Sequence, residues 1–194
     1  IRKKLIQINS EKDINFFDYG VGYFYQSSFS LNIRGLRDSK YRKDLLDISR
    51  FTKDKNLLDI GTNSGFLLMD LENNYNCAIG IDYNPKLIKV ANEAKNFLKI
   101  QNIDFQVKNF QVEKFNEKFD VIFSLANHDT YDKGITLTEN YFNKIENLLN
   151  LNGILVLEGH HPQIESDEKF IELINLLNKK FEIVRRGKYR SNNF

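Results

Sequence analysis

The chain has 194 residues and a formal charge of +2, from 28 Lys and Arg against 26 Asp and Glu. That length suits one domain with a single core, and the near-balance of charge argues against bulk binding of DNA or other nucleic acid, which calls for a basic excess. No apolar run approaches the roughly 20 residues of a membrane span, and no leader peptide is visible. The lone cysteine, Cys77, has no internal partner, which fits a reducing, cytoplasmic setting. The first residue is Ile1 rather than Met, so a fragment of a longer product is expected.

Residues 1–14 carry no clear pattern. Aromatic residues then crowd together at Phe16, Phe17, Tyr19, Tyr23, Phe24, Tyr25 and Phe29, broken by Gly20 and Gly22 and lacking a helical period. They read either as a flap that buries its rings on the core or as a lid that excludes water from bound reactants. Tyr25 and Gln26 are accordingly candidates for substrate contact. In the following NIRGLRD, residues 32–38, Asp38 or Ser39 can cap a helix with Tyr41, Leu45 and Ile48 on one face. Arg34, Arg37 and Arg42 are either a solvated basic face or planar forks for a carboxylate or phosphate. Arg34, beside Gly35 and ahead of the helix, is the best ligand candidate. Residues 1–37 read as an extension or lid, and residues 38–194 as the body of one compact domain.

Residues 56–70, NLLDIGTNSGFLLMD, are the most informative stretch. An apolar run ends in Asp59, a glycine-bearing turn follows, and Phe66 opens a second apolar run: a buried strand, a tight loop and a helix start. Gly61 and Gly65 allow positive φ and close approach of a ligand, and the helix start offers free N–H groups. A second apolar run, 76–81, ends in Asp82, placed to accept both hydroxyls of a ribose. A nucleoside therefore lies across the ends of the first two strands. The spacing is not the G-x-G-x-x-G of a dinucleotide fold.

The segment from Asp59 to Gly65 resembles the first motif of class I S-adenosylmethionine-dependent methyltransferases, acidic-x-Gly-x-Gly-x-Gly, with Asn63 in place of the middle glycine. Asn tolerates the left-handed region better than most residues. The resemblance spans about residues 38–186. It implies S-adenosylmethionine as cofactor, leaving as S-adenosylhomocysteine, with Asp59, Gly61, Thr62, Asn63, Gly65, Phe66, Asp82 and Tyr83 around it. Where that family commonly holds the adenine amino group with an acid, this chain has Asn109 followed by Phe110. Ser124 and Leu125, ending the fourth strand, complete the cofactor set.

Further along, Asn84 caps a helix that Pro85 starts, with Leu87, Ala91, Ala94 and Leu98 on its apolar stripe. A third strand is expected at 103–107 and a fourth at 119–124, with Asp120 fitting the family pattern. A helix over about 138–149 carries Tyr141, Ile145 and Leu148 on one side. Asn152-Gly153 turns into a fifth strand at 154–157. Ser166 caps a last helix with Asp167 and Glu168 in its first turn. A sixth strand is expected at 181–184. The family's seventh, antiparallel strand would begin near Lys188 and is truncated or unformed at Phe194. The expected fold is α/β: a doubly wound, mainly parallel, seven-stranded Rossmann-like methyltransferase sheet, binding ligands beyond the carboxyl ends of its strands.

All three histidines, His128, His160 and His161, follow strands four and five on that ligand side. In one reading His128 is the general base for an acceptor hydroxyl, oriented by Asp129 or Glu158, with His161 also catalytic. In the other, Glu158, His160 or His161 with Asp129 or Asp132 hold a divalent metal that acidifies a sugar diol; this ligand mix suits Mn or Zn better than Mg. Asn127, Tyr131 and His160 are candidates for substrate contact. LANHDTYD and EGHHP, with NIRGLRD, resemble methyltransferases of bacterial surface-polysaccharide clusters that act on sugar hydroxyls, which implies a nucleotide-activated or glycan-linked sugar. The stretch after the fourth strand lacks Asp/Asn-Pro-Pro-Tyr, which argues against an exocyclic-amine DNA or protein-glutamine methyltransferase. A tRNA wobble-uridine enzyme of the same fold, a non-catalytic donor-binding domain and a nicotinamide oxidoreductase are the competing readings. An oligomer, whose aromatic segment covers a neighbour's site, is compatible with the sequence.

Overall fold

The computed structural model describes residues 1–11, 16, 24–71, 74–126, 139–159 and 167–187. Asn127, His128, Asp129, Tyr131, Asp132, His160 and His161 lie outside the described residues. Five parallel strands form the central sheet: β3 (Asn56–Ile60), β4 (Cys77–Asp82), β5 (Ile103–Val107), β6 (Phe119–Leu125) and β7 (Leu149–Glu158), in the order β5-β4-β3-β6-β7. Leu57, Leu58 and Ile60 of central β3 are all fully buried, because a parallel strand of this kind is covered on both faces and reads as a continuous apolar run.

Alternation along the strands sends side chains to two cores. Leu57, Val121 and Phe123 meet α1 (Arg2–Asn9), α4 (Phe66–Met69) and α5 (Pro85–Leu98) on one face. Leu58, Ile60 and Ile122 meet α6 (Glu139–Leu148) and α7 (Asp167–Asn178) on the other. Each such buried side chain contributes about 1.5–3 kcal/mol of transfer free energy. At the amino end of the sheet Asp120 staples three strands. It accepts from the Asn56 backbone N–H at 2.9 Å and from the Asn150 amide at 2.8 Å.

The sequence expectations hold for β3 to β6 and for α5, where the Asn84 side chain caps Lys86 N–H and Pro85 opens the helix. Strand β7 begins earlier than expected, at Leu149, directly after α6. The expected single seven-stranded sheet is not formed, because among the described residues the seven strands divide between a five-stranded and a two-stranded sheet. Three further expectations fail. Residues 181–187 form no strand; Phe181 packs edge-on against Phe142 of α6, and Arg185 reaches the Leu45 carbonyl at 3.2 Å and Asp47 at 3.7 Å. The segment thus crosses from the α6 side to the turn joining α2 (Ser39–Leu45) and α3 (Ile48–Thr52) instead of pairing in the sheet. The face proposed for Tyr41, Leu45 and Ile48 is not continuous, because Asp47 turns left-handed (φ 52°) and breaks the helix in two. Tyr41 points outward and Arg42 inward. Residues 1–14, patternless by eye, contain α1, whose Leu5 and Ile8 are buried in the core.

A second, two-stranded sheet pairs β1 (Phe24–Gln26) with β2 (Gly35–Arg37) in parallel. The glycine of NIRGLRD answers to this contact: a Cβ on Gly35 would stand 2.2 Å from the Gln26 carbonyl carbon. The segment docks on α4 through Phe24, tilted on Phe66 at 5.4 Å, and through Asp70. That carboxylate accepts from Ser28 Oγ at 3.2 Å, Phe29 N at 3.0 Å, Ser30 N at 3.1 Å and Ser39 Oγ at 2.7 Å.

Candidate functional site

The carboxyl ends of β3, β4, β6 and β7 bring the candidate residues to one edge. After β3 the chain turns through Gly61 (φ 72°), Asn63 (φ 56°) and Gly65 (φ 69°) into α4, and Asn63 adopts the left-handed conformation its side chain tolerates. Gly65 serves the packing as well as the turn. A Cβ there would come within 2.4 Å of the Phe105 ring, so close approach of a ligand is not the only reason for a glycine.

Asp82, ending β4, is buried and preorganised. Its two oxygens take the Asn63 and Asn84 backbone N–H groups, each at 3.0 Å. A carboxylate oxygen can accept from more than one donor, which is what binding a ribose diol at such a residue requires. The Ser64 hydroxyl, 1% exposed, has no hydrogen-bond partner among the described residues. A buried polar atom left this way is able to accept a partner from a bound molecule or water, and glycine turn, acid and hydroxyl together fit the ribosyl and amino-acid portions of S-adenosylmethionine. Tyr83 is 39% exposed, with its ring against Phe16 at 5.5 Å.

Asp59 is buried beneath this loop. Burial pushes its carboxyl up from 3.8 to about 7, opposed by the Thr62 hydroxyl and the Arg42 charge and reinforced by Asp82. Arg42 itself is buried and bound to Glu158, with Nε 2.9 Å from Oε2 and an Nη 3.4 Å from Oε1. Arg42 therefore clamps a carboxylate, and that carboxylate is internal. Glu158 departs from its expected role. It is 6% exposed and bound to Arg42, so at least part of its charge is spent inside the protein. No cluster of metal-binding side chains occurs among the described residues.

The remaining candidates divide. Ser124, next to last in β6, is fully buried with its hydroxyl 2.7 Å from that of Tyr141, and Leu125, which ends the strand, is buried in the core. Asn109 is exposed, and its Oδ1 accepts the Gln111 N–H at 2.9 Å, a local turn cap. The Phe110 ring is buried rather than presented to a ligand. Gln26 is 5% exposed with Oε1 unpartnered among the described residues, Tyr25 is half-buried and Arg34 is exposed. Sequence reading missed the partnership of Arg42 and Glu158, the docking role of Asp70 and Lys144 of α6. Only Asp70 leaves a trace in the sequence, as an acid closing the wholly buried run FLLM and facing the serines of QSSFS.

Two predictions follow from the buried charges. Removing one partner of a buried ion pair costs about 3–5 kcal/mol, so Glu158→Gln should lower the denaturation midpoint strongly. An unchanged midpoint would return Glu158 to the list of free catalytic carboxylates. Asp59 binds its proton more tightly folded than unfolded, so its contribution to stability is complete below pH 3.8 and is lost as pH rises to about 7. Chemical denaturation from pH 4 to 8 should show wild type losing stability relative to Asp59→Asn across that window; parallel curves would contradict the assignment.

Comparison with known proteins agrees with this architecture. A family model described as a methyltransferase domain matches residues 51–188. A ribosomal protein L11 methyltransferase from Alkaliphilus oremlandii is 31% identical over 109 residues, 56% of this chain; the chain spans about a third (33%) of that relative's length. Among solved structures, N-methyltransferase NodS from Bradyrhizobium japonicum superposes with a TM-score of 0.63 at 18% identity, over 79% of this chain and 89% of its own. Coclaurine N-methyltransferase, solved with N-methylheliamine and S-adenosylhomocysteine, gives 0.54 at 16% identity, over 62% of this chain and 36% of its own. These two likenesses are of fold. With the family model covering well over half of its residues, the chain belongs to the methyltransferase domain family.

Proposed function

We propose that this chain is an S-adenosylmethionine-dependent O-methyltransferase acting on a sugar hydroxyl, on a nucleotide-activated or glycan-linked sugar of cytoplasmic surface-polysaccharide assembly. The observation that carries the reading is the register of β6 and β7. Leu125 pairs with Glu158, and Ala126 N–H donates to the Glu158 carbonyl at 3.0 Å. The two histidine-bearing stretches therefore continue from adjoining strand ends, the first from the strand next to β3 and its donor loop and the second from one strand further out.

The donor supplies an electrophilic sulfonium methyl. The chain's work is to orient that donor with Asp82 and the glycine turn, and to hold the acceptor oxygen in line with the methyl. The hydroxyl proton passes to His128, since imidazole is the side chain suited to act as a base near neutrality. Asn127, Tyr131 and His160 hold the sugar, and Asp129 and His161 support the base. Residues 1–37 contribute a cover over the reactants, in keeping with the Phe16 ring lying on Tyr83 beside Asp82.

Transfer of labelled methyl from S-adenosylmethionine to nucleotide sugars, with bulk tRNA in parallel and each with and without a chelator, tests the reading. Label is expected in a sugar hydroxyl. His128→Ala should cut turnover by about 100-fold or more. Label in tRNA, or in an amine instead of a hydroxyl, would overturn the acceptor assignment, and full turnover by His128→Ala would overturn the base. Loss of transfer with chelator would move His160, His161 and Asp129 into a metal site.

A further inference from the structure

We infer that Lys144, with Tyr141 beside it on α6, positions the adenine end of the donor by bracing the loop after β5. The inference rests on the donor assignment and on no particular acceptor. With the glycine turn on β3 and the ribose acid on β4, the nucleoside points outward along the strand order, and the next strand is β5. Adjacent strands are about 4.8 Å apart, the scale of the step from a ribose to its base. The loop after β5 is tied to the ribose acid, since Lys108 N–H donates to the Asp82 carbonyl at 3.0 Å.

That loop is short of regular structure, and α6 holds it. The Lys144 ammonium donates to the carbonyls of Phe110 and Glu113. It also stands over two rings, 4.7 Å from the centre of Phe110 and 5.5 Å from that of Phe115. Partial burial pulls its pKa below the usual lysine range, opposed by the Glu113 charge, while the carbonyl and ring contacts favour the ammonium form. Beside it, the Tyr141 ring meets Phe110 edge-on at 5.3 Å, and its hydroxyl reaches Ser124 at 2.7 Å. One helix face thus supports the tips of both β5 and β6. The same helix begins directly after residues 127–138, which carry His128, so the support of the donor and the acceptor loop are continuous in the chain.

Lys144 acts through the loop without touching the donor, and calorimetry with two ligands tests this. S-adenosylhomocysteine carries adenosine and the amino-acid tail; 5′-methylthioadenosine carries the adenosine without the tail. Lys144→Met should weaken both equally, by about tenfold, and Lys144→Arg should restore part of the loss in both. Tyr141→Phe, which keeps the ring and removes the hydroxyl bond, should weaken both by a smaller and again equal factor. A loss confined to S-adenosylhomocysteine, or unchanged affinity for both ligands, would overturn the inference. So would equal loss in the Arg and Met variants. Failure of the wild-type chain to bind S-adenosylhomocysteine would overturn the donor assignment itself, and this inference with it.

Discussion

Three carboxylates lie at or one residue short of the carboxyl ends of three strands of the parallel sheet, and the site depends on how each is tolerated there. Asp82 is held by two backbone N–H groups, Glu158 by the Arg42 guanidinium, and Asp59 by burial that favours its proton up to about neutrality. An ionised carboxylate with none of these would cost far more than a domain's net stability allows. The three solutions give the edge three properties. One acid is fixed by backbone donors, one is neutralised by a guanidinium, and one has its carboxyl pushed up to about 7 by burial.

The neutralised acid links the edge to the first forty residues. Arg42 enters from α2 and Asp70 leaves from α4, so the stretch from β1 to α2 is fastened at both ends to elements that flank the donor loop. A lid made of this stretch would have to break a buried ion pair and four hydrogen bonds to one carboxylate. The stretch is therefore a wall rather than a lid. Ahead of β1, the Phe16 ring lies against Tyr83 on the donor side of the edge.

Much of the frame was legible in the sequence because the signals are local. Leu57 to Ile60 with Gly61 and Gly65, and Asn84 with Pro85, declare strand, turn, cap and helix within a few residues. What escaped was non-local. The Arg42–Glu158 pair joins residues 116 apart, and nothing near Arg42 distinguishes it from Arg34 or Arg37. Its inward orientation follows from the break at Asp47, which a helical wheel drawn through Tyr41, Leu45 and Ile48 ignores. Gly35 was legible as unusual, but its cause, the backbone of Gln26, lies in another strand. Residues 181–184 look like a strand by composition, yet pairing needs a neighbour, and Phe181 and Arg185 are committed to α6 and the α2–α3 turn instead.

The central claim is that a nucleoside-containing donor lies across the tips of β3 and β4 and is held by Asp82. Calorimetric titration of S-adenosylhomocysteine into Asp82→Asn, with Asp120→Asn at the opposite end of the sheet as the comparison, tests it most directly. The account predicts at least about tenfold weaker binding for the Asp82 variant, since each hydrogen bond to a charged group is worth about 1.5–3 kcal/mol. It predicts wild-type affinity for the Asp120 variant. Wild-type affinity in Asp82→Asn, or an equal loss in both variants, would contradict it.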